Sequence, residues 1–429
     1  MPDASSKSSN TALAILTAAY VLCYVDRTIV TLMVGPTRTD LGLNDTQFSL
    51  LGGLAFTLLY CTLGITFGWW ADRGDRSRIV AIGIAVWSTM TMLCGLARSF
   101  GMLFFARVGV GVGEATLSPA AYSLIAEIYP RNQVGRALSI YVTAVYLGIG
   151  ITFAFGGWLV ETLTALPPFD LGRFGLLAGW QQVFLLVGLP GLIIAPFAYF
   201  LLPESRRTGR ILSPPQSPPI RPWLEQHKSF LYLHFFGFSM LTLVFNGYLS
   251  WEAEFLLREF GMRKTDGGLA IGLIILVFGP IGMLAGGHTA DHMRKSGDLS
   301  GTMASAAWAS ILLMPFAVFA PLMPSALLSL AAFAPIIFLA AFAFGNAIAG
   351  LQMATPSPLR ARVSVIYLLV VNIVGIGFAG TMVAALSDYF LGGGGARLGD
   401  AMSIVGAIAG TLAILLLRGA SKQMPIDAD

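Results

Sequence analysis

Twelve apolar runs recur along the chain, each long enough to cross a bilayer. A membrane helix needs about 20 apolar residues. The runs fall at 11–34, 47–71, 78–97, 100–127, 134–159, 180–202, 229–257, 267–291, 301–321, 325–353, 361–388 and 398–418. In hydrocarbon, every backbone N–H and C=O must be bonded within its own segment, so runs of this length fold as helices. Short turns separate them, marked by Pro36, Asp72–Arg78, Pro130–Arg131, Pro167–Pro168 and Gly392–Gly395. The expected fold is an all-α membrane protein with twelve transmembrane helices.

Composition narrows the function classes. Apolar residues make up 56% of the chain and charged residues 11%, against about 25% charged in soluble domains. Too little polar surface is present for a water-soluble enzyme, a nucleic-acid binder or a disordered scaffold. The net charge of +4 comes from 26 basic and 22 acidic residues, which is no nucleic-acid patch. Cys23, Cys61 and Cys94 all lie inside apolar runs and form no CxxC motif. They are read as buried reduced thiols, with no disulfide framework and no metal site. No cofactor is expected. The polar opening MPDASSKSSN lacks a basic stretch before an apolar core, so the first run is read as a retained span.

One connection differs from the other turns. Residues 203–228 are polar, basic and rich in Pro and Ser, the composition of a linker. It divides the chain into 1–202 and 229–429, predicting two six-helix bundles. GWWAD at 68–72 closes the second run and GHTAD at 287–291 closes the eighth, and basic residues follow both. That match at equivalent points marks the halves as pseudo-symmetric repeats. Leaving out Arg27 and Arg107, the side carrying both termini and the linker holds 17 Lys and Arg, the other side 7. Basic loops stay on the cytoplasmic face, so both termini are expected there, in a multi-pass protein of the cell membrane.

Two repeats joined by a polar linker suit alternating access, in which two bundles rock about a site near the midplane. The chain has no G-x-x-x-x-G-K-[ST] phosphate loop; an ion or substrate gradient is the expected energy source. GWWADRGDRSR at 68–78 resembles the loop signature of the major facilitator superfamily, and RVGVGVGEA at 107–115 resembles its fourth-helix motif. YVDRTIV at 24–30, GVGEA at 111–115, PRNQVGRALS at 130–139 and WQQVFLLVGLPGL at 180–192 are similar to the spinster-like branch. The helix-one Asp-Arg is shared with relatives that handle sugar acids and other organic anions. The resemblance implies the major facilitator fold, two six-helix bundles around a central cavity. It also implies a lysolipid or sphingolipid substrate.

An ionisable side chain at the bilayer centre costs at least about 2.5–3.5 kcal/mol on insertion scales. Asp26, Arg27, Arg107 and Glu114 fall at that depth. At ~1.5 Å per residue, Asp26 and Arg107 each lie about 12 Å below the outer face, a level at which they are expected to pair. Glu114 is two turns deeper than Arg107 on the same helix face. Burial disfavours a charged carboxylate while a neighbouring guanidinium favours it. Asp26 and Glu114 are therefore the expected proton-coupling residues. Arg107 and Arg27 are the expected substrate-binding residues, gripping an anionic head group once an acid is protonated. Arg27, next to Asp26, must face elsewhere on the helix.

By the superfamily resemblance, Asp72 with Arg73, Arg76, Arg78 and Arg136 forms a latch on the cytoplasmic side, and Asp291 joins it by symmetry. His234 is expected to be a hydrogen-bonded core residue, and Glu252 and Glu254 to face water or a cavity mouth. His288 and His292 are spaced i, i+4, and no third metal ligand accompanies them. Asn44-Asp-Thr46 matches a glycosylation triplet.

The expected function is a proton-coupled secondary transporter of amphipathic lipids, acting as a monomer. A carrier of small organic anions or drugs in the same fold is the alternative. An intramembrane enzyme would need a convergent nucleophile and base, which the chain lacks in sequence. A channel is disfavoured by two unlike halves.

Overall fold

The computed structural model describes residues 4–130, 133–172, 175–203, 219–296, 299–392 and 397–425. Within these, the side chains of 4–8, 65, 68–73, 294, 299 and 361 lie outside the description. Among the described residues, twelve helices are long and apolar enough to cross a membrane. Spans 1–6 are Ser9–Leu41, Asp45–Gly64, Arg76–Cys94, Phe100–Ile128, Val134–Ala165 and Gly179–Leu201. Spans 7–12 are Lys228–Phe260, Lys264–Met293, Ser300–Leu322, Ala326–Ala354, Arg362–Phe390 and Leu398–Lys422. A small hairpin, Phe169–Asp170 against Leu176–Leu177, joins spans 5 and 6, with Phe169 opposite Leu177.

Helix starts follow local chemistry. The Asn44 side chain accepts from the Gln47 amide at 2.7 Å while Gln47 accepts from the Asn44 amide at 3.1 Å. This capping box starts span 2 and accounts for the asparagine of the Asn44 triplet. Asp75 caps span 3 by accepting from the amides of Ser77 and Arg78. Ser99 and Ser325 cap spans 4 and 10 in the same way. Gly261, at φ 63°, ends span 7 in the left-handed conformation that glycine tolerates.

The chain divides into two compact units, Met1–Thr208 with Arg263–Gly272, and Gly209–Met262 with Leu273–Asp429. Much of the linker read from the sequence, 204–218, lies outside the described residues, and a short helix, Ile220–Gln226, follows it. The first turns of span 8 therefore belong with the first unit. There Lys264 donates to the Leu32 carbonyl at 2.8 Å and Thr265 donates to the Glu161 carboxylate.

Within the first unit, span 1 packs on spans 5 and 6, and span 3 on spans 4 and 6. Within the second, span 7 packs on spans 11 and 12, and span 9 on spans 10 and 12. The same pairing scheme, shifted by six, recurs in each bundle, as expected of internal repeats.

Two departures from regular helix matter. Span 1 tightens to a 3₁₀ turn at Val30–Met33, and span 2 breaks at Gly53, between Asp45–Gly52 and Leu54–Arg73. Both breaks lie beside the buried charges. Span 11 carries two wide π turns, Asn372–Gly377 and Leu386–Phe390.

Candidate functional site

Spans 1 and 4 bring all four membrane-depth charges together inside the first unit. Asp26, Arg107 and Glu114 are 2%, 0% and 1% exposed. Arg27 keeps 13% of its side chain accessible. Small residues allow this approach: Gly111 on span 4 lies against the Phe56 carbonyl with no room for a Cβ, and Gly148 on span 5 does the same against Val21 and Tyr24.

The ion pair that forms is not the expected one. Arg27 Nη2 meets Glu114 Oε2 at 2.8 Å. Cys23 Sγ donates to the same oxygen at 3.0 Å. The pair uses a single guanidinium donor, so Arg27 Nε and Glu114 Oε1 are buried without hydrogen-bond partners. Three rings surround the guanidinium: Phe56 at 4.2 Å, Tyr24 at 4.8 Å and Tyr60 at 5.0 Å from its carbon to the ring centroids. Such faces attract a cation, most strongly where water is excluded. The aromatic lining continues through Tyr20, in edge contact with Tyr24 and stacked on Tyr141 at 4.5 Å.

Asp26 and Arg107 do lie at one level, but their side chains do not pair. Arg107 Nη1 donates to the Asp26 backbone carbonyl at 3.2 Å and Nε to the Leu51 carbonyl at 3.4 Å. Both carbonyls precede the pitch changes of spans 1 and 2, where regular helix bonding is interrupted. Arg107 thus caps two helix breaks. The Asp26 carboxylate turns instead to span 3, where Thr91 donates to Oδ2 at 3.2 Å. Asp26 Oδ1 and Arg107 Nη2 are buried and unpartnered.

With both acids ionised, the two carboxylates and two guanidiniums cancel. Adding one proton to either acid leaves one guanidinium uncompensated in a low-dielectric setting. Such a centre can exchange a proton for an anionic group.

The chain matches the Major Facilitator Superfamily over residues 16–380. It belongs to that superfamily. It is 27% identical over 290 residues to the MFS-type efflux pump of Mycolicibacterium smegmatis, covering 66% of this chain and 63% of the pump. It is 26% identical over 310 residues to Protein spinster homolog 1 of Xenopus tropicalis, covering 68% of this chain and 56% of that one. The chain thus spans less than two thirds of these curated relatives' length. Its fold is similar to that of a bacterial homolog to human lysosomal transporter, spinster, crystallised in an inward-facing and unoccupied conformation. The TM-score is 0.81 at 24% identity, over 97% of this chain and 98% of that one. A D-xylose-proton symporter gives a TM-score of 0.70 at 16% identity, over 98% and 99%.

The residues assigned to the superfamily latch are only partly placed. The side chains of Asp72 and Arg73 lie outside the described residues. Arg76 is buried and pairs with the Glu127 carboxylate at the end of span 4. Arg78 pairs with Asp75 at 3.0 Å in the first turn of its own helix. Arg136 and Asp291 are exposed. These pairings of Arg76 and Arg78 are thus made inside the first bundle.

In the second unit, His234 is fully buried, its Nε2 3.0 Å from the Ala347 carbonyl, among Phe230, Phe235, Phe238 and Tyr367. Glu252 and Glu254 do not face water; they are 1% and 4% exposed. Span 7 runs to Phe260, three residues past the expected end, which places both acids deeper. Glu254 pairs with Arg258 one turn along at 2.9 Å. Among the described residues no three His, Cys, Asp or Glu side chains gather to hold a metal.

Tyr24, Phe56, Tyr60 and Thr91 take part in the site with no role expected from sequence, and Cys23, expected only as a buried thiol, donates to Glu114. Cys23 is four residues before Arg27 and Tyr24 three, so both share its helix face. That spacing was the available signal.

Proposed function

We propose that the protein is a proton-coupled secondary active transporter working by alternating access. Its substrate is a lysolipid- or sphingolipid-type amphipath with an anionic or zwitterionic head. It acts as a monomer, with both termini on the cytoplasmic side of a cell membrane. The observation that carries this reading is the buried Arg27–Glu114 pair at 2.8 Å, beside Asp26 and Arg107 on adjoining spans. A proton added to Glu114 neutralises the carboxylate that holds Arg27. The guanidinium, with donors to spare, then takes the acidic head group. Asp26, with one oxygen unpartnered, is the second proton acceptor. Arg107, held by two carbonyls, fixes the geometry, and the head-group role passes mainly to Arg27. Relatives named for efflux, for L-galactonate transport and for spinster support a carrier of this general kind.

Reconstitution into liposomes under an imposed pH gradient tests the proposal. Lysolipid flux should rise with an inward proton gradient and lose that dependence in Asp26→Asn. Gradient-independent flux in the unaltered chain would overturn proton coupling. Flux of small anions with no lysolipid flux would replace the lipid by the alternative substrate class.

A further inference from the structure

A second charged feature lies in the other unit. Spans 9 and 12 pack together, and at one end they leave a cleft of about 270 Å³. Ala304, Ala307, Trp308 and Ile311 line it from span 9, and Arg418, Ser421 and Lys422 from span 12. Arg418 lies over the Trp308 ring at 5.8 Å. Neither Arg418 nor Lys422 has a carboxylate partner among the described residues. The other exposed guanidiniums with described ion pairs, Arg78, Arg221, Arg263 and Arg397, each meet an acid within four residues.

The position along the helices specifies the environment. Lys422 ends span 12 and Arg418 lies one turn, about 6 Å, further in. A bilayer of about 40–45 Å with a ~30 Å hydrocarbon core leaves a head-group layer of that same depth on each face. Below Arg418 the stripe continues at helical spacing through Leu415, Leu412 and Ile408, all exposed. On span 9, Trp308, 60% exposed, is followed by the exposed Leu312 one turn deeper. An exposed Trp over an apolar stripe is the arrangement of the membrane interface. The cleft therefore pairs two uncompensated cations at phosphate level with an apolar track at acyl-chain level.

We propose that this cleft binds the phosphodiester head group of an anionic phospholipid. Arg418 and Lys422 contact the phosphate, the Ser421 end of the cleft accommodates the polar head, and one acyl chain follows the Leu412–Leu415 stripe. Basic pockets between membrane helices favour anionic lipids by about 1 kcal/mol per cation near the surface, or roughly fivefold.

Native mass spectrometry of the full chain tests this in detergent doped with either phosphatidylglycerol or phosphatidylcholine. The expected result is one retained phosphatidylglycerol per chain, little phosphatidylcholine, and about a fivefold loss for each of Arg418→Ala and Lys422→Ala. Excess inorganic phosphate should leave the lipid in place. Equal retention by the double variant, equal retention of phosphatidylcholine, or full displacement by phosphate would each overturn the assignment. A photoactivatable phosphatidylglycerol in nanodiscs, independent of any substitution, should label residues 304–311; labelling elsewhere only would also overturn it.

Discussion

Spans 4 and 10 hold equivalent places in their bundles, each packed on the third span of its repeat, yet they carry opposite chemistry. Span 4 buries Arg107 and Glu114. Span 10 has no charged residue; its buried polar side chains are Ser329 and Asn346. Spans 1 and 7 differ in kind too. Span 1 supplies Asp26 and Arg27 to a shared cluster, whereas span 7 supplies a histidine ringed by aromatics, Glu254 paired along its own helix, and the buried Glu252. The packing scheme recurs in both bundles although the buried charges do not. In the first bundle Glu114 meets a counter-charge on a second helix, whereas in the second Glu254 meets Arg258 on its own helix and Glu252 is buried with Oε1 unpartnered.

The difference can be broken most severely at Glu114. Glu114→Ala leaves Arg27 without its counter-ion, which for a buried pair costs about 3–5 kcal/mol. A large drop in the thermal melt should accompany loss of gradient-driven flux. An unchanged melt with normal flux would erase the distinction between the bundles. Arg27→Lys is the sharper probe. It keeps the charge but loses the planar donor fork, and at about 1.5–3 kcal/mol for a charged hydrogen bond, head-group affinity should fall tenfold or more. Binding titrations decide this, and unaltered affinity would move the grip back to Arg107. The smallest effect is expected in the second bundle. His234→Phe removes one hydrogen bond to the Ala347 carbonyl, worth about 1 kcal/mol, and should leave the pH profile of transport in place. A shifted profile would show that the second bundle also handles protons.

The membrane spans were readable because hydrocarbon permits few backbone solutions, and their length follows from its thickness. The four buried charges were readable for the same reason. Their partners were not. Axial rise placed Asp26 and Arg107 at one level correctly, but rise says nothing about azimuth. Arg27, about 100° around the helix from Asp26, is the residue that meets span 4 at Glu114. The 3₁₀ turn at Val30–Met33 and the break at Gly53 turned Arg107 toward backbone carbonyls; the Gly52-Gly53 pair is a local signal of the second irregularity, whereas Val-Thr-Leu-Met does not announce the first. Glu252 and Glu254 sit deeper than the apolar run predicts because span 7 continues three residues beyond it, to Phe260. The i, i+4 spacing of Glu254 and Arg258 already offered the internal partner that burial requires.

The cancellation of charge at the first-bundle site bears on energetics across the bilayer. A carrier that admits one hydrogen ion together with one monovalent anion crosses the membrane loaded with no net charge, so voltage does no work on that step. Only the chemical difference in acidity then drives accumulation. A zwitterionic cargo carried with the same hydrogen ion would make the loaded form cationic and its movement sensitive to membrane potential.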